Sequence, residues 1–155
     1  MATFRCNVKG WRFYIGLSYS AKATGVNSKL EDGRHFLMWD FDNVALPVLR
    51  RSLIEIQRRF LLSSIYVLST GLEGHYHAYC FDSLTFSNAL QVIAATKESD
   101  RVYLGIAAMR GYFTLRFSDK KGRVYTHVDT LESPKDADIS PYEVKSFCRY
   151  WTKRL

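Results

Sequence analysis

The sequence has little of what marks secreted, disulfide-stabilised or membrane-spanning proteins. Only three of its 155 residues are cysteine and three are proline. Cys6, Cys80 and Cys148 are far apart and odd in number, so they predict neither a disulfide framework nor a CxxC-type zinc site. No apolar run approaches the roughly 18 residues of a transmembrane helix. These absences favour a chain of the reducing cytoplasm that has no membrane partner.

The N-terminal twenty residues lack the pattern of a secretory signal, because Arg5, Lys9 and Arg12 interrupt them. Low-complexity tracts and internal repeats are also missing. Hydrophobic residues make up 47% of the chain and charged residues 24%, which is the balance of a globular protein. We therefore expect one compact domain over residues 1–155, large enough to bury its own core.

Positive charge and aromatic side chains are what the sequence has in excess. The net charge is +7 and aromatic residues make up 15% of the chain. A small basic domain commonly has a polyanionic partner, because Lys and Arg release the counterions condensed on phosphates. Aromatic rings stack on bases as well as filling cores. A cationic surface that only keeps the protein soluble is the alternative explanation of the charge.

Apolar patterning predicts an alternation of strands and helices between two loops, 21–33 and 130–138. Helices are expected from Asn43 to Phe60, after Ser83 or Thr85, and over 140–153. The apolar stripe of the first is Leu49, Leu53, Ile56 and Phe60, and that of the second is Phe86, Leu90 and Ile93. The predicted strands are 35–42, 65–68, 75–81, 101–107, 112–117 and 123–128. This order is that of an α+β domain with a mixed or antiparallel sheet and flanking helices.

Two of the predicted helices carry start signals. Asn43 is a favourable N-cap and Pro47 is tolerated in the first turn of the helix that follows. Ser140, Pro141 and Glu143 have the spacing of a capping box at the start of the predicted C-terminal helix. The buried face of that helix is expected to consist of Val144, Phe147 and Trp151.

Three sequence constellations have the residue types of a catalytic or binding site, and Asp40-Phe41-Asp42 is the first. Residues two apart on a strand project to the same face, so both carboxylates share one face and Phe41 lies on the other. Two carboxylates at the end of a buried strand need compensation by a cation or by hydrogen bonds. Mg²⁺ or Mn²⁺, which prefer oxygen ligands, would provide it. The structural alternative is that Asp42 and Asn43 simply cap the next helix.

The second constellation is the segment STGLEGHYHAY, residues 69–79. Its glycines, Gly71 and Gly74, allow backbone to approach a phosphate, and Ser69 with the loop amides has donors for it. His75 and His77 follow on one strand face. A single histidine is more often structural, but a pair on one face behind a glycine-rich turn indicates a site.

The third constellation is RGYFTLRFSDKKGR, residues 110–123, in which five basic residues alternate with aromatic ones across a predicted hairpin. Arg binds phosphate in a bidentate manner and Lys acts as a point charge. The basic tip, Lys120 to Arg123, fits a solvated turn equally well. Arg116 lies inside a strand and therefore needs a partner.

Taken in order, these segments resemble the archaeo-eukaryotic primase superfamily, which includes the primase-polymerases. Its signature is an hhhDhD strand, a Ser/Gly-rich turn before a strand of the GxH type, an hD element and a strand of the type RxxxLRxSxKxG. The corresponding segments are FLMWDFD, STGLEGHYHAY, SDRVY and RGYFTLRFSDKKGR, which lie between residues 35 and 123. The resemblance implies a palm-like domain similar to the RNA-recognition fold.

The resemblance also implies roles for individual residues. Asp40 and Asp42 would hold two Mg²⁺ or Mn²⁺ ions, with Asp100 as a third carboxylate and no zinc. Asp119 and Asp129 compete with Asp100 for that third position, and either His75 or His77 fills the family's histidine position. The implied nucleotide-binding residues are Ser69, His75, His77, Arg116, Lys120 and Lys121.

The activity that the resemblance implies is template-directed addition of nucleotides to a 3′-hydroxyl. The implied partners are a DNA template and primer, nucleoside triphosphates, and a helicase or other replication proteins that load so small a domain. A plasmid or virus would suit such a protein as its source.

Two other function classes fit part of the sequence. His75 and His77 match the His-hydrophobic-His motif of HUH endonucleases, and Tyr142 or Tyr150 could be a nucleophile with YxxK spacing. That hypothesis leaves the FTLRFSDKKGR strand unexplained. A non-catalytic nucleic-acid-binding module fits the charge and the aromatic content, but a pair of strand carboxylates would weaken polyanion binding.

Overall fold

The computed structural model describes residues 2–8, 11–17, 20–117, 123–144 and 147–153. It contains nine strands, three α-helices and one 3-10 turn at Pro141–Glu143 within those ranges. The helices are α1 (Leu46–Phe60), α2 (Phe86–Ala95) and α3 (Arg101–Arg110). The strands are β1 (Ala2–Val8), β2 (Trp11–Leu17), β3 (Ser20–Asn27), β4 (His35–Phe41), β5 (Ile65–Ser69), β6 (Tyr76–Leu84), β7 (Thr114–Arg116), β8 (Thr126–Leu131) and β9 (Phe147–Lys153).

The strands form three antiparallel sheets, which confirms the predicted α+β class. β1 and β2 form a hairpin, and a second sheet has the order β7-β3-β9. The third sheet has the order β4-β6-β5-β8 and is the central element of the buried core in the described chain. Its strands β4, β5 and β6 match the predicted strands closely, because their apolar runs are flanked by turn residues.

The face of the four-stranded sheet that we call the helix face is covered by α1 and α2. Trp39, Ala78 and Val67 lie opposite one another across β4, β6 and β5, and all three are fully buried. Trp39 Nε1 donates to Thr96 Oγ1 at the end of α2 (2.9 Å). On the same face Arg50 Nε of α1 contacts the Asp129 carboxylate of β8 at 3.0 Å.

Helix α1 keeps the predicted apolar stripe but begins differently. Leu49, Leu53 and Ile56 are buried, as their spacing predicts. Ala45, not Asn43, is the N-cap, and Asn43 adopts a left-handed conformation (φ 58°). Asn tolerates that conformation, which a turn before the helix requires here, so the predicted cap was wrong.

Helix α2 begins as predicted after Thr85. The Thr85 side chain accepts a hydrogen bond from the Asn88 N–H (3.3 Å), and Ile93 is fully buried. The cap was predicted correctly, but of the predicted stripe only Ile93 is buried, Phe86 and Leu90 are partly buried, and Ala89 and Val92 complete the buried face.

Residues 101–110 form helix α3, so the predicted strand at 101–107 was wrong. Tyr103 and Leu104 are buried, but Val102 (68%) and Met109 (82%) are exposed, which makes the helix apolar on both sides. Without an amphipathic period, the segment VYLGIA has the composition of a strand. The helix is defined instead by its ends, since Asp100 caps it and Gly111 ends it in the left-handed conformation (φ 77°).

The predicted hairpin of residues 112–117 with 123–128 was wrong, since β7 pairs with β3 and β8 pairs with β5. Two further segments were predicted wrongly, and the sheet β7-β3-β9 explains both. Much of the predicted loop 21–33 is strand β3, and the predicted helix 140–153 is a 3-10 turn followed by strand β9. The Ser140 cap is present, since its Oγ accepts from the Tyr142 N–H (3.3 Å), but it starts only one turn. β3 pairs with β9 from Ser20 to Val26, and this long-range pairing overrides local preference.

No helix in the part of the chain that the structure describes is long and apolar enough to cross a membrane. Lys120, Lys121 and Asp119 lie outside the described residues.

Candidate functional site

A half-open cavity of about 340 Å³ lies where the end of the four-stranded sheet meets strand β7. Its lining contains two groups of side chains: acidic and imidazole ones from the ends of β4 and β6, which we call the acidic wall, and basic and aromatic ones from β7 and the segment before β8, which we call the basic wall. Its lining consists of Asp40, Asp42, Thr70, Leu72, His75, His77, Thr114, Leu115, Arg116, Arg123 and Tyr125.

The strand register brings the acidic and histidine motifs together. Asp40 of β4 lies directly opposite His77 of β6, and the following pair is Phe41 with Tyr76. Continuing this antiparallel register by one residue places Asp42 opposite His75, just beyond the strand ends. Directly opposed residues share a face, so each carboxylate has an imidazole beside it.

His77 is the most buried of these four side chains. Its Nε2 lies 3.5 Å from Asp40 Oδ1, and its Nδ1 lies 3.4 Å from the Tyr79 hydroxyl. Burial lowers the pKa of His77 to about 4, so the contact with Asp40 joins a carboxylate to a neutral imidazole and is no ion pair at pH 7. Burial also raises the pKa of Tyr79, which keeps its hydroxyl protonated.

These protonation states define the roles of the two ring nitrogens of His77. The Tyr79 hydroxyl donates to Nδ1 of His77, and the Nε2–H of His77 is directed at the Asp40 carboxylate. His77 therefore places an N–H beside the Asp40 carboxylate without adding a positive charge there.

The second pair is nearer the solvent. His75 Nδ1 lies 2.5 Å from Asp42 Oδ1, with side-chain exposures of 22% for His75 and 49% for Asp42. The two motif histidines thus differ in surroundings, since one is enclosed and the other is at the mouth of the cavity.

The glycine-rich turn is packed against the basic wall. Ser69 Oγ accepts a hydrogen bond from the Gly71 N–H (3.2 Å), which stabilises the start of the turn. Gly71 has a φ of 76°, and a Cβ there would lie 3.0 Å from Arg123 Cβ and 3.1 Å from the Val124 oxygen. The turn therefore requires glycine at this position to approach the segment that carries Arg123.

Arg116 and Arg123 form the basic wall. Arg116 is the last residue of β7 and pairs with Gly25 of β3, so its backbone is fixed by the second sheet. The Tyr125 ring lies 5.3 Å from the His77 ring and joins the two walls. The sequence pattern predicts Arg116 in the site but does not assign Arg123 or Tyr125 to it, because Arg123 ends, and Tyr125 follows, what that pattern predicts to be a solvated turn.

Asp100 has a different environment from Asp40 and Asp42. Its backbone N–H donates to the Asp40 carbonyl (2.9 Å), but its carboxylate accepts from the Val102 N–H (2.8 Å) and so caps α3. Asp129, the rival candidate, contacts Arg50 on the helix face. Asp100 as a third metal ligand stays a prediction.

The donor set fits some metal sites and not others. Among the described residues, no three His, Cys, Asp or Glu side chains converge in a way that could hold an ion. A resident ion enclosed by protein ligands, such as structural zinc, does not fit that arrangement. Mg²⁺ characteristically takes one or two carboxylates and completes its shell with water and substrate phosphates. Asp40 and Asp42 fit an ion of that kind.

The chain matches no protein-family model, and comparisons with curated proteins and with solved structures gave no match either. The site itself is therefore the basis for assigning a function.

Proposed function

We propose that this protein is a metal-dependent nucleotidyltransferase, a minimal primase-polymerase that adds nucleotides to a 3′-hydroxyl on a DNA template. The observation that carries the proposal is the cross-strand register. It sets Asp40 beside His77 and continues to Asp42 and His75, in a cavity that Arg116 and Arg123 also line.

The acidic and basic walls suit a metal–triphosphate complex, because that complex contains both a cation and anionic phosphates. The carboxylates of Asp40 and Asp42 would hold the cation, and Arg116 and Arg123 would bind the phosphate oxygens. A nucleotide held in this way has its phosphates between the walls. Neither wall alone would provide both interactions.

A bound Mg²⁺ or Mn²⁺ ion would supply charge neutralisation and alignment at the phosphate that is transferred. The protein's own residues would position the reactants. His77 stays neutral beside Asp40, and His75 would orient Asp42 at the mouth through its contact with that carboxylate. Arg116 would stabilise negative charge that develops on the phosphate oxygens in the transition state.

The endonuclease hypothesis has less support. An HUH site needs two histidines and a carboxylate on a single ion, and such convergence is not found among the described residues. Its nucleophile helix is not formed, since Tyr150 lies in strand β9 and Tyr142 in a 3-10 turn. Tyr142 lines a different cavity from the one that contains His75 and His77.

Primer extension tests the proposal. The protein is incubated with a labelled primer on a DNA template, dNTPs or NTPs, and Mg²⁺ or Mn²⁺. We expect extension by the wild type and its loss in Asp40→Asn, because the metal would lose a charged ligand. Asp136→Asn, which neutralises an exposed carboxylate in the loop after β8, is the matched control and should extend normally.

Two outcomes would contradict the proposal. The first is extension by Asp40→Asn and Asp42→Asn at the wild-type rate. The second is a denaturant-stable protein–DNA adduct that disappears in Tyr142→Phe or Tyr150→Phe, which would favour the endonuclease.

A further inference from the structure

A second cavity, which we call the aromatic groove, lies next to the candidate site on the same sheet. It encloses about 680 Å³ and is lined mostly by rings and aliphatic side chains. No Asp or Glu is found among the described residues that line it. Its aromatic and imidazole members are Phe36, Tyr66, Tyr79, Phe81, Phe117, Tyr142 and His127.

Several rings of the groove are exposed to solvent. The exposed fractions are 36% for Tyr66, 51% for Phe117 and 97% for Tyr142. By contrast, Trp39 and Phe41 on β4 are fully buried. Exposed rings gathered in one concave surface mark a binding site more strongly than scattered apolar residues do.

The groove is continuous with the candidate site through direct contacts. Tyr79, in the groove, places its hydroxyl 3.4 Å from His77 Nδ1 in the site. Phe117 stacks nearly parallel to Tyr125 (12° between ring planes, centroids 6.2 Å apart), which joins the groove to the basic wall. Leu68 of the groove lies directly opposite His77 in the sheet.

We infer that the aromatic groove binds single-stranded nucleic acid by stacking its unpaired bases, while the backbone phosphates reach the basic wall. This inference rests on the proposed function and names where the template strand would lie. Base stacking on aromatic side chains is tolerant of sequence, since every base has a π-face.

The chemistry favours a nucleic-acid strand over a peptide as the occupant. The groove is lined by flat aromatic rings. Arg116, which precedes Phe117 in the chain, lines the neighbouring site, and the protein has a net charge of +7. A strand of alternating bases and phosphates matches both the rings and the charge. An acidic peptide would match the charge but lacks the flat bases that stack on aromatic rings.

Fluorescence anisotropy with two labelled 12-mers tests the inference, one of thymidines and one of abasic sites with the same phosphates. Metal and nucleotide are omitted, so that catalysis plays no part. We expect the thymidine strand to bind wild type about tenfold more tightly than the abasic strand. Phe117→Ala and Tyr142→Ala should each remove most of this preference and leave abasic binding unchanged.

Tyr112→Ala is the matched control, because Tyr112 is 36% exposed but lies outside the groove. It should keep the tenfold preference. Equal binding of the two strands by wild type would overturn the inference, as would a preference that survives in the double variant Phe117→Ala/Tyr142→Ala. Either result would leave the extension assay of Asp40→Asn unaffected, so failure of the groove and failure of the proposed function are distinguishable.

Discussion

Two neighbouring rows of residues in the four-stranded sheet project to opposite faces and differ in composition. On the helix face, Trp39, Ala78 and Val67 form a row that α1 and α2 cover completely. The next row, on what we call the cavity face, is Asp40, His77 and Leu68. In this row the fully buried apolar side chains are replaced by a partly exposed carboxylate, a buried imidazole and a partly buried leucine.

The difference shows how one strand can serve folding and binding at once. A strand alternates its side chains, so β4 contributes Trp39 and Phe41 to the core and Asp40 to the site without a break. The rigid helix face holds the register, and the register sets which side chains meet on the cavity face. A change on the helix face should therefore affect stability, and one on the cavity face should affect activity.

Neighbouring substitutions on β4 test that comparison with the largest expected effects. Trp39→Ala should lower the free energy of unfolding by about 3–5 kcal/mol, because it leaves a cavity in the core and removes the partner of Thr96. Asp40→Asn should change it by less than about 1 kcal/mol but reduce primer extension by on the order of 100-fold or more. Urea unfolding and the extension assay measure the two effects.

A reversed result would break the comparison. If Asp40→Asn unfolded the protein and Trp39→Ala were tolerated, the cavity face would be the structural one.

The pH dependence of stability tests whether His77 is shielded from water in the folded protein. Its pKa of about 4 in the folded state lies below the ordinary value of 6.5. Between these values the unfolded chain binds a proton that the folded protein does not. The free energy of unfolding should therefore be fully retained above pH 6.5 and fall by about 3 kcal/mol as the pH decreases to about 4.

His77→Gln should flatten much of this slope, measured by urea unfolding at a series of pH values. Some slope should remain, because burial lowers the pKa of His35 as well, with the nearby Lys29 charge as a further cause. An identical slope in the variant would mean that His77 is solvated in the folded protein.

Asp100 lies beside the cavity face, where its backbone N–H donates to the Asp40 carbonyl. Its substitution is expected to give the smallest effect. Its carboxylate caps α3, so Asp100→Ala should cost about 1 kcal/mol of stability. Ser is also a good N-cap, so Asp100→Ser should restore most of that loss, as thermal unfolding would show. We expect Asp100→Ser to extend primers within a few-fold of wild type. A loss as large as that of Asp40→Asn would make Asp100 the third metal ligand.

The sequence by itself determined the parts whose signals are local. The apolar runs of β4, β5 and β6, the buried stripe of α1 and the Thr85 cap of α2 were all predicted from spacing and residue type. The placement of Asp40 and Asp42 away from Trp39 followed from strand alternation alone.

Only the tertiary structure decided the parts whose cause lies far away in the chain. β3 and β9 are strands because they pair with each other across more than a hundred residues, against the loop and helix that their local sequences predict. Helix α3 is apolar on both sides, so its period gave no signal.

The candidate site depended on both kinds of information. Sequence patterns identified Asp40, Asp42, His75, His77 and Arg116 separately. The antiparallel register paired the carboxylates with the histidines, and the approach of Gly71 to the Arg123 segment added a basic residue that no local pattern had assigned. Residue type fixes which chemistry a side chain can perform, but only the packing of distant strands fixes which side chains meet, because hydrogen-bond register joins residues without regard to their separation in the chain.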